Sequence, residues 1–287
     1  MDTGTFTGFE LSLRDPGIAW FQFNSPERLN GMTTGIKRDL IEAVTQAQMD
    51  DAVRVLVFTG SGRAFCAGDD LKAYQGAELG GRPLVPHIPP GHDSPLGTYN
   101  GLRTVSQQLN TVVRNIDKLT IAAINGVAIQ TGFSLALSCD FRLAAAGARL
   151  GSATLRFGLL PDEGGQYLLV QHLGLARALD FLMRKRIVDA EEAAELGLVH
   201  EVVDAAGLEA AAMALAQELA NGPQVSMRLL KRTLYNAAEL TWQQALDDIA
   251  AKTAVTDHHP DAREGVTAFR DKREPQFNAW LEDRGGS

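Results

Sequence analysis

The run from Ile121 to Gly165, IAAINGVAIQTGFSLALSCDFRLAAAGARLGSATLRFGLLPDEGG, most constrains what this chain can fold into. Ile121 to Ile124 is a short apolar segment bounded by the turn signal Asn125-Gly126, and it reads as a buried strand. Val127 to Ile129 leads into Gln130-Thr131-Gly132, which opens a helix of small and apolar residues from Phe133 to Leu137. A helix start carries unpaired backbone N–H groups and the positive end of the helix dipole. It can therefore hold negative charge developing on an oxygen. Cys139 to Ala144 reads as a second strand with two charges near its start, and Phe157 to Gly165 ends in Pro161-Asp162-Glu163-Gly164-Gly165. A carboxylate pair thus stands beside a glycine turn, shortly after a helix start.

The flanking sequence alternates between strand and helix patterns. Phe9 to Leu13 and Ile18 to Phe23 form a hairpin across Asp15-Pro16-Gly17. Thr33 or Thr34 caps a helix to about Met49 with Ile36, Leu40, Ile41, Val44 and Ala47 on one face. A strand follows over 54–59. Gly76 to Pro95 is rich in Gly and Pro and reads as a loop or flap. Leu102, Val105, Leu109, Val112, Val113 and Ile116 make a helical stripe. Gln166 to Arg184 reads as two short helices meeting at Gly174, Asp189 caps another, and Leu198 to Val203 is a last strand. From Leu208 onward the periodicity is helical. The pattern predicts an α/β core over 1–203 and a helical region over 204–287.

A formal charge of −8 argues against a nucleic-acid surface. Cys66 and Cys139, the two cysteines, stand in apolar stretches and are expected buried and reduced. No apolar run approaches the ~20 residues of a membrane span, and MDTGTFTGFE has no basic start or apolar core of an export signal. A cytoplasmic protein without a membrane partner is expected. His87, His92, His258 and His259 lack further ligands at metal spacing, and no metal is expected.

A second stretch, Ala64-Phe65-Cys66-Ala67-Gly68-Asp69-Asp70-Leu71-Lys72, follows the strand 54–59. With NGVAIQTGFSLALSCD, with Pro26-Glu27-Arg28-Leu29-Asn30 and with AFRDKREP near the end, it resembles the crotonase, or enoyl-CoA hydratase/isomerase, superfamily. The four motifs stand in the family's order over nearly the whole chain. The resemblance implies a spiral of ββα units with a C-terminal helical trimerisation region, and a homotrimer or hexamer. It implies an acyl-CoA thioester as substrate, with no cofactor beyond the CoA carried by that substrate.

By the same resemblance, two backbone N–H groups bind the thioester carbonyl and hold the enolate formed when an α-proton leaves. They fall at Asp69 and Thr131. The Asp69 side chain opposes a forming oxyanion unless it points away or is protonated. The two glutamates of enoyl-CoA hydratases are replaced by Ser134 and Thr154, whose hydroxyls are not bases at neutral pH without a partner but can bind a substrate oxygen or water. Asp162 resembles the acid/base of the dienoyl-CoA isomerases, with a helix cap as its plain alternative. Successive helical residues diverge by about 100°, so at most one of Asp162 and Glu163 is expected to face the pocket; the resemblance favours Asp162, with Glu163 as a further candidate substrate contact. CoA contacts are implied for Arg28, Ala67, Lys72, Lys272 and Arg273.

These readings predict an enzyme that isomerises an unsaturated acyl-CoA. The alternatives are a hydrolase opening a β-keto, possibly cyclic, acyl-CoA, an enoyl-CoA hydratase, and a non-catalytic acyl-CoA-binding paralogue. The acyl group is not legible in the sequence.

Overall fold

The computed structural model describes residues 1–70, 81–86 and 94–282. Its strands are β1 (Gly4–Phe6), β2 (Phe9–Arg14), β3 (Ile18–Phe23), β4 (Val55–Gly60), β5 (Ala64–Cys66), β6 (Leu119–Ile124), β7 (Val127–Ile129), β8 (Phe141–Ala145), β9 (Arg149–Gly151), β10 (Ile187–Asp189) and β11 (Glu201–Val203). They form a seven-stranded sheet in the order β1-β2-β3-β4-β6-β8-β11 and a four-stranded sheet in the order β10-β9-β7-β5. From β3 to β11 the large sheet is parallel, and the β1-β2-β3 edge is antiparallel.

Successive strands alternate between the sheets. β4 lies in the large sheet, β5 in the small one, and helices follow; β6, β7 and their helix repeat the pattern, as do β8 and β9. This is the expected spiral of ββα units. The inner strands β3, β4, β6 and β8 are covered on both faces, so their residues read as nearly continuous apolar runs. Leu56, Phe58, Ala122 and Ile124 face one core with Ile36, Leu40, Val44, Leu109 and Val113. Val55, Val57, Ile121 and Ala123 face a second core with Leu208, Ala212, Ala216 and Leu219. The first helix beyond residue 204 is therefore a layer of the sheet rather than an appendage to it.

The helices are α1 (Thr34–Met49), α2 (Pro95–Gly101), α3 (Gln107–Asn115), α4 (Thr131–Ser138), α5 (Gly165–Leu173), α6 (Leu175–Met183), α7 (Ala190–Glu195), α8 (Leu208–Asn221), α9 (Gln224–Ala237), α10 (Trp242–Asp257), α11 (Pro260–Asp271) and α12 (Ala279–Glu282). Thr33 caps α1 by accepting from the Ile36 N–H, and Asp189 caps α7 by accepting from the Glu192 N–H. The last strand is shorter than the pattern predicted and starts at Glu201. Ahead of it, the His200 N–H donates to the Arg142 carbonyl, entering the parallel pairing with β8. Asp140, at the start of that strand, accepts from Lys231 Nζ at 2.8 Å, Tyr235 Oη at 2.6 Å and both donors of Thr120, which ties α9 to the core.

The stripe from Leu102 to Ile116 is helical, but it begins with a π turn over Leu102–Ser106. A π turn inserts a residue and rotates the remainder of the helix, and such turns are frequent at functional sites. Here Ser106 and Asn110 become buried. Most of the Gly76–Pro95 segment lies outside the described residues. Within it, Arg82 bridges to Phe6 on β1 and the Val85 N–H donates to Asp39 on α1.

Candidate active site

The PERLN motif and the AFCAGDD motif meet through Asn30. Its Nδ2 donates to the carbonyls of Ser61 at 3.0 Å and Ala64 at 2.7 Å, while its Oδ1 accepts from the Ser25 N–H. The Ala67 N–H donates to Leu29 O, the Met32 N–H donates to Gly68 O, and the Asp70 N–H donates to Met32 O, so that Met32 pairs across Asp69. Gly68 is left-handed at φ 109°, which turns the chain sharply ahead of Asp69. Asp69 is thus a backbone position fixed from both sides.

The second motif supplies the start of α4. Thr131 is its first helical residue, and the preceding Gln130, at φ 51°, supplies no side-chain cap. The first-turn N–H groups of a helix have no partner within it. Gly132 lets the helix start approach β5, because a Cβ there would stand 2.1 Å from the Cys66 carbonyl oxygen. The two motifs are therefore adjacent, and Thr131 Oγ1 lies 2.8 Å from Asp69 Oδ1.

The Asp69 carboxylate, awkward in the sequence, is paired. Lys37 of α1 is buried and places Nζ 2.7 Å from Asp69 Oδ1, 2.9 Å from Glu163 Oε1 and 3.0 Å from Ser106 Oγ. Thr131 Oγ1 also lies 2.7 Å from Glu163 Oε1. Burial alone would depress the Lys37 ammonium, but Glu163 and Asp69 outweigh it and the net shift is upward. Glu163 is raised first by burial and further by Asp69, against the lowering effect of Lys37. Periodicity missed Lys37 because a lysine beside a helical apolar stripe reads as a solvated charge.

Asp162 is half-buried and precedes Glu163 in a segment that is not helical. The 100° divergence of helical neighbours therefore does not apply to this pair. Nor does Asp162 cap the following helix: α5 begins after Gly164, at φ 94°. Instead α3 holds the segment by its backbone. Gln107 Nε2 donates to Asp162 O at 3.0 Å and Asn110 Nδ2 to Glu163 O at 3.1 Å. The polar face of α3, rotated into place after the π turn, had no signal in an apolar stripe.

The two hydroxyls at the hydratase positions sit differently. Ser134 is buried on α4 where α5 passes closely, since a Cβ on Gly165 would meet its Oγ at 2.3 Å. Thr154 Oγ1 donates to Gln130 Oε1, which also accepts from Ser152 Oγ at 2.7 Å. Thr154 thus helps fix the residue that opens α4.

Of the residues implied for CoA, Arg28 is largely buried and paired with Asp70 at 2.7 Å, and Ala67 lies beside it in the AFCAG turn. Lys72 lies outside the described residues. Lys272 ends α11 in a left-handed conformation, and Arg273 forms a two-pronged pair with Glu264 at 2.7 and 2.9 Å. Among the described residues the contacts of both stay within the C-terminal segment, so the structure of one chain does not bring them to Asp69 and Thr131. Cys66 and Cys139 are buried, and burial pushes both thiols up to about 12. Among the described residues no cluster of His, Cys, Asp and Glu is arranged to hold a metal. None of their helices is long and apolar enough to cross a membrane.

A spiral of ββα units that brings the turn after β5 against the start of α4 is a crotonase fold. Solved structures share this architecture. The crystal structure of an enoyl-CoA hydratase from Bacillus anthracis superimposes with a TM-score of 0.84 at 28% identity, over 94% of this chain and 98% of that one. An enoyl-CoA hydratase from Polaromonas sp. JS666 gives 0.82 at 28% identity, over 94% and 99%. Residues 14–83 and 91–280 match the model of the enoyl-CoA hydratase/isomerase family, and the chain belongs to that family. A curated relative, the 1,2-epoxyphenylacetyl-CoA isomerase of Escherichia coli K12, is 36% identical over 94% of this chain and 98% of its own.

Proposed function

We propose that this acyl-CoA enzyme isomerises an unsaturated acyl-CoA through a thioester enolate. The observation that carries the reading is the adjacency of the Asp69 turn and the Thr131 helix start, with Glu163, the neighbour of Asp162 in sequence, bonded to Thr131 and the Asp162 carbonyl accepting from Gln107. The Asp162 carboxylate takes a proton from the carbon α to the thioester. The C–H electron pair moves into a new C=C bond, and the carbonyl π pair moves onto oxygen. The N–H groups of Asp69 and Thr131 donate to that oxygen. Asp162, now protonated, returns the proton to a different carbon as the electrons flow back. No proton is gained or lost overall, so one acid/base suffices. Hydration would need a second carboxylate, and Ser134 and Thr154 offer none. The isomerase name of the Escherichia coli relative supports the same choice.

The discriminating experiment is α-proton exchange of short and ring-bearing enoyl-CoA thioesters in deuterated water. Exchange is expected, with no comparable exchange for the free acids. Tight thioester binding without exchange would instead establish a non-catalytic acyl-CoA-binding protein.

We also read the chain as a subunit of a trimer or hexamer. Leu230 and Leu234 on α9, Trp242 and Val255 on α10, and Val266 and Phe269 on α11 are all more than half exposed in the single chain. Large apolar side chains grouped on neighbouring helices mark an interaction surface. Light scattering at micromolar concentration is expected to give a multiple of three chains; a monomeric mass would contradict this.

A further inference from the structure

The hydrogen-bond inventory around Lys37 needs one proton more than two ionised carboxylates and a threonine can provide. Lys37 Nζ carries three protons and has three acceptors, Asp69 Oδ1, Glu163 Oε1 and Ser106 Oγ, at 2.7, 2.9 and 3.0 Å. Thr131 Oγ1 carries one proton, yet it stands at hydrogen-bond distance from both Asp69 Oδ1, at 2.8 Å, and Glu163 Oε1, at 2.7 Å. One hydroxyl proton serves one of these contacts. The other would be a close approach of a bare oxygen to a carboxylate unless the carboxyl itself carries a proton.

Burial decides which carboxyl that is. The Asp69 side chain is 39% exposed and that of Glu163 is 1% exposed, and the neutral form belongs to the group that water cannot reach. Glu163 Oε2 is buried and has no hydrogen-bond partner among the described residues, a heavy cost for an anion and a smaller one for a neutral acid. The titratable groups facing Glu163 are Lys37 from α1, Asp69 from the turn after β5, and the Cys66 thiol at the end of β5, with Asp162 its neighbour in sequence. Burial and Asp69 lift its carboxyl against the pull of Lys37.

We propose that Glu163 is a protonated carboxylic acid at neutral pH, donating to Thr131 Oγ1 while Thr131 donates to Asp69. It acts as a positioning residue that keeps the cluster beneath the oxyanion donors electrically neutral. With Glu163 neutral, Lys37 and Asp69 cancel. Its ionisation would place net negative charge one hydrogen bond from the residue whose N–H holds the enolate oxygen. The acceleration therefore falls as pH rises through the Glu163 pKa, approaching about tenfold per pH unit above it. Glutamine matches the neutral acid in shape and charge, so Glu163→Gln retains exchange at neutral pH and lacks this alkaline limb.

The test has two arms. In the first, wild-type protein labelled with ¹³C at its glutamate carboxyls is followed by infrared spectroscopy without substrate as pH is raised from 5 to 9, above the ordinary Glu pKa of about 4.3. One protonated-carboxyl band is expected to persist at pH 7 and to be missing from Glu163→Gln. Wild type without such a band overturns the proposal. In the second, exchange is measured against pH in both proteins. A Glu163→Gln profile that keeps the wild-type alkaline limb overturns the proposal, as does loss of exchange at neutral pH. The rate arm rests on the isomerase reading and the infrared arm does not, so the failure of one is distinguishable from the failure of the other.

Discussion

Replacing Lys37 by Met is expected to cost about 3 kcal/mol of folding stability at pH 7, within the range for breaking a buried ion pair by removing one partner. Methionine conserves much of the volume, so the loss is electrostatic. Asp69, Glu163 and Ser106 each lose a donor at 2.7 to 3.0 Å. The value sits at the low end because Asp69 keeps partial contact with water. The sign of the pH dependence follows from linkage. The folded-state pKa of Lys37 is raised above its ordinary 10.5, so its contribution is fully present below that value and is lost as pH rises through the folded pKa. Without the cation, the two carboxyls are raised in the folded state. The variant therefore recovers stability as pH falls toward the ordinary carboxyl range near 4. Chemical denaturation of both proteins at pH 5 and pH 7 checks this. A loss below about 1 kcal/mol, unchanged between the two, would show that the cluster behaves as a surface pair.

The same cluster shows where sequence reading stopped. The strands of the large sheet were legible because parallel strands buried on both faces are continuous apolar runs, and Val55–Gly60 and Leu119–Ile124 are both of that kind. Asp69 and Thr131 stand out in the sequence only through their motifs. The geometry that makes them neighbours lies in Gly132 against Cys66, a contact between residues far apart in the chain. Lys37, Ser106 and Asn110 were not legible. Each is a polar residue on a helix whose apolar stripe explains the helix without it, and the π turn that brings Ser106 inward leaves no compositional mark. The divergence of helical neighbours does not apply to Asp162 and Glu163, because both precede a helix that begins only at Gly165, and the apolar run that follows them does not mark that boundary.

The arrangement also accounts for the carboxylate at Asp69. The structure directs the Asp69 side chain to Lys37 and Thr131. Its charge is thereby held in an ion pair with Lys37.

The central claim is that enolate formation depends on Asp162. Its most direct measurement is α-proton exchange of an acyl-CoA thioester in deuterated water by Asp162→Asn, beside wild type and Glu163→Gln. Asparagine keeps the shape of the side chain and the backbone bond from Gln107 to the Asp162 carbonyl, and removes the base. Losing the sole general base is expected to slow exchange by about 10²–10⁴-fold, with thioester binding by calorimetry little changed and Glu163→Gln still active at neutral pH. Full exchange by Asp162→Asn, with exchange abolished in Glu163→Gln, would contradict the account and move the proton carrier to the buried carboxyl.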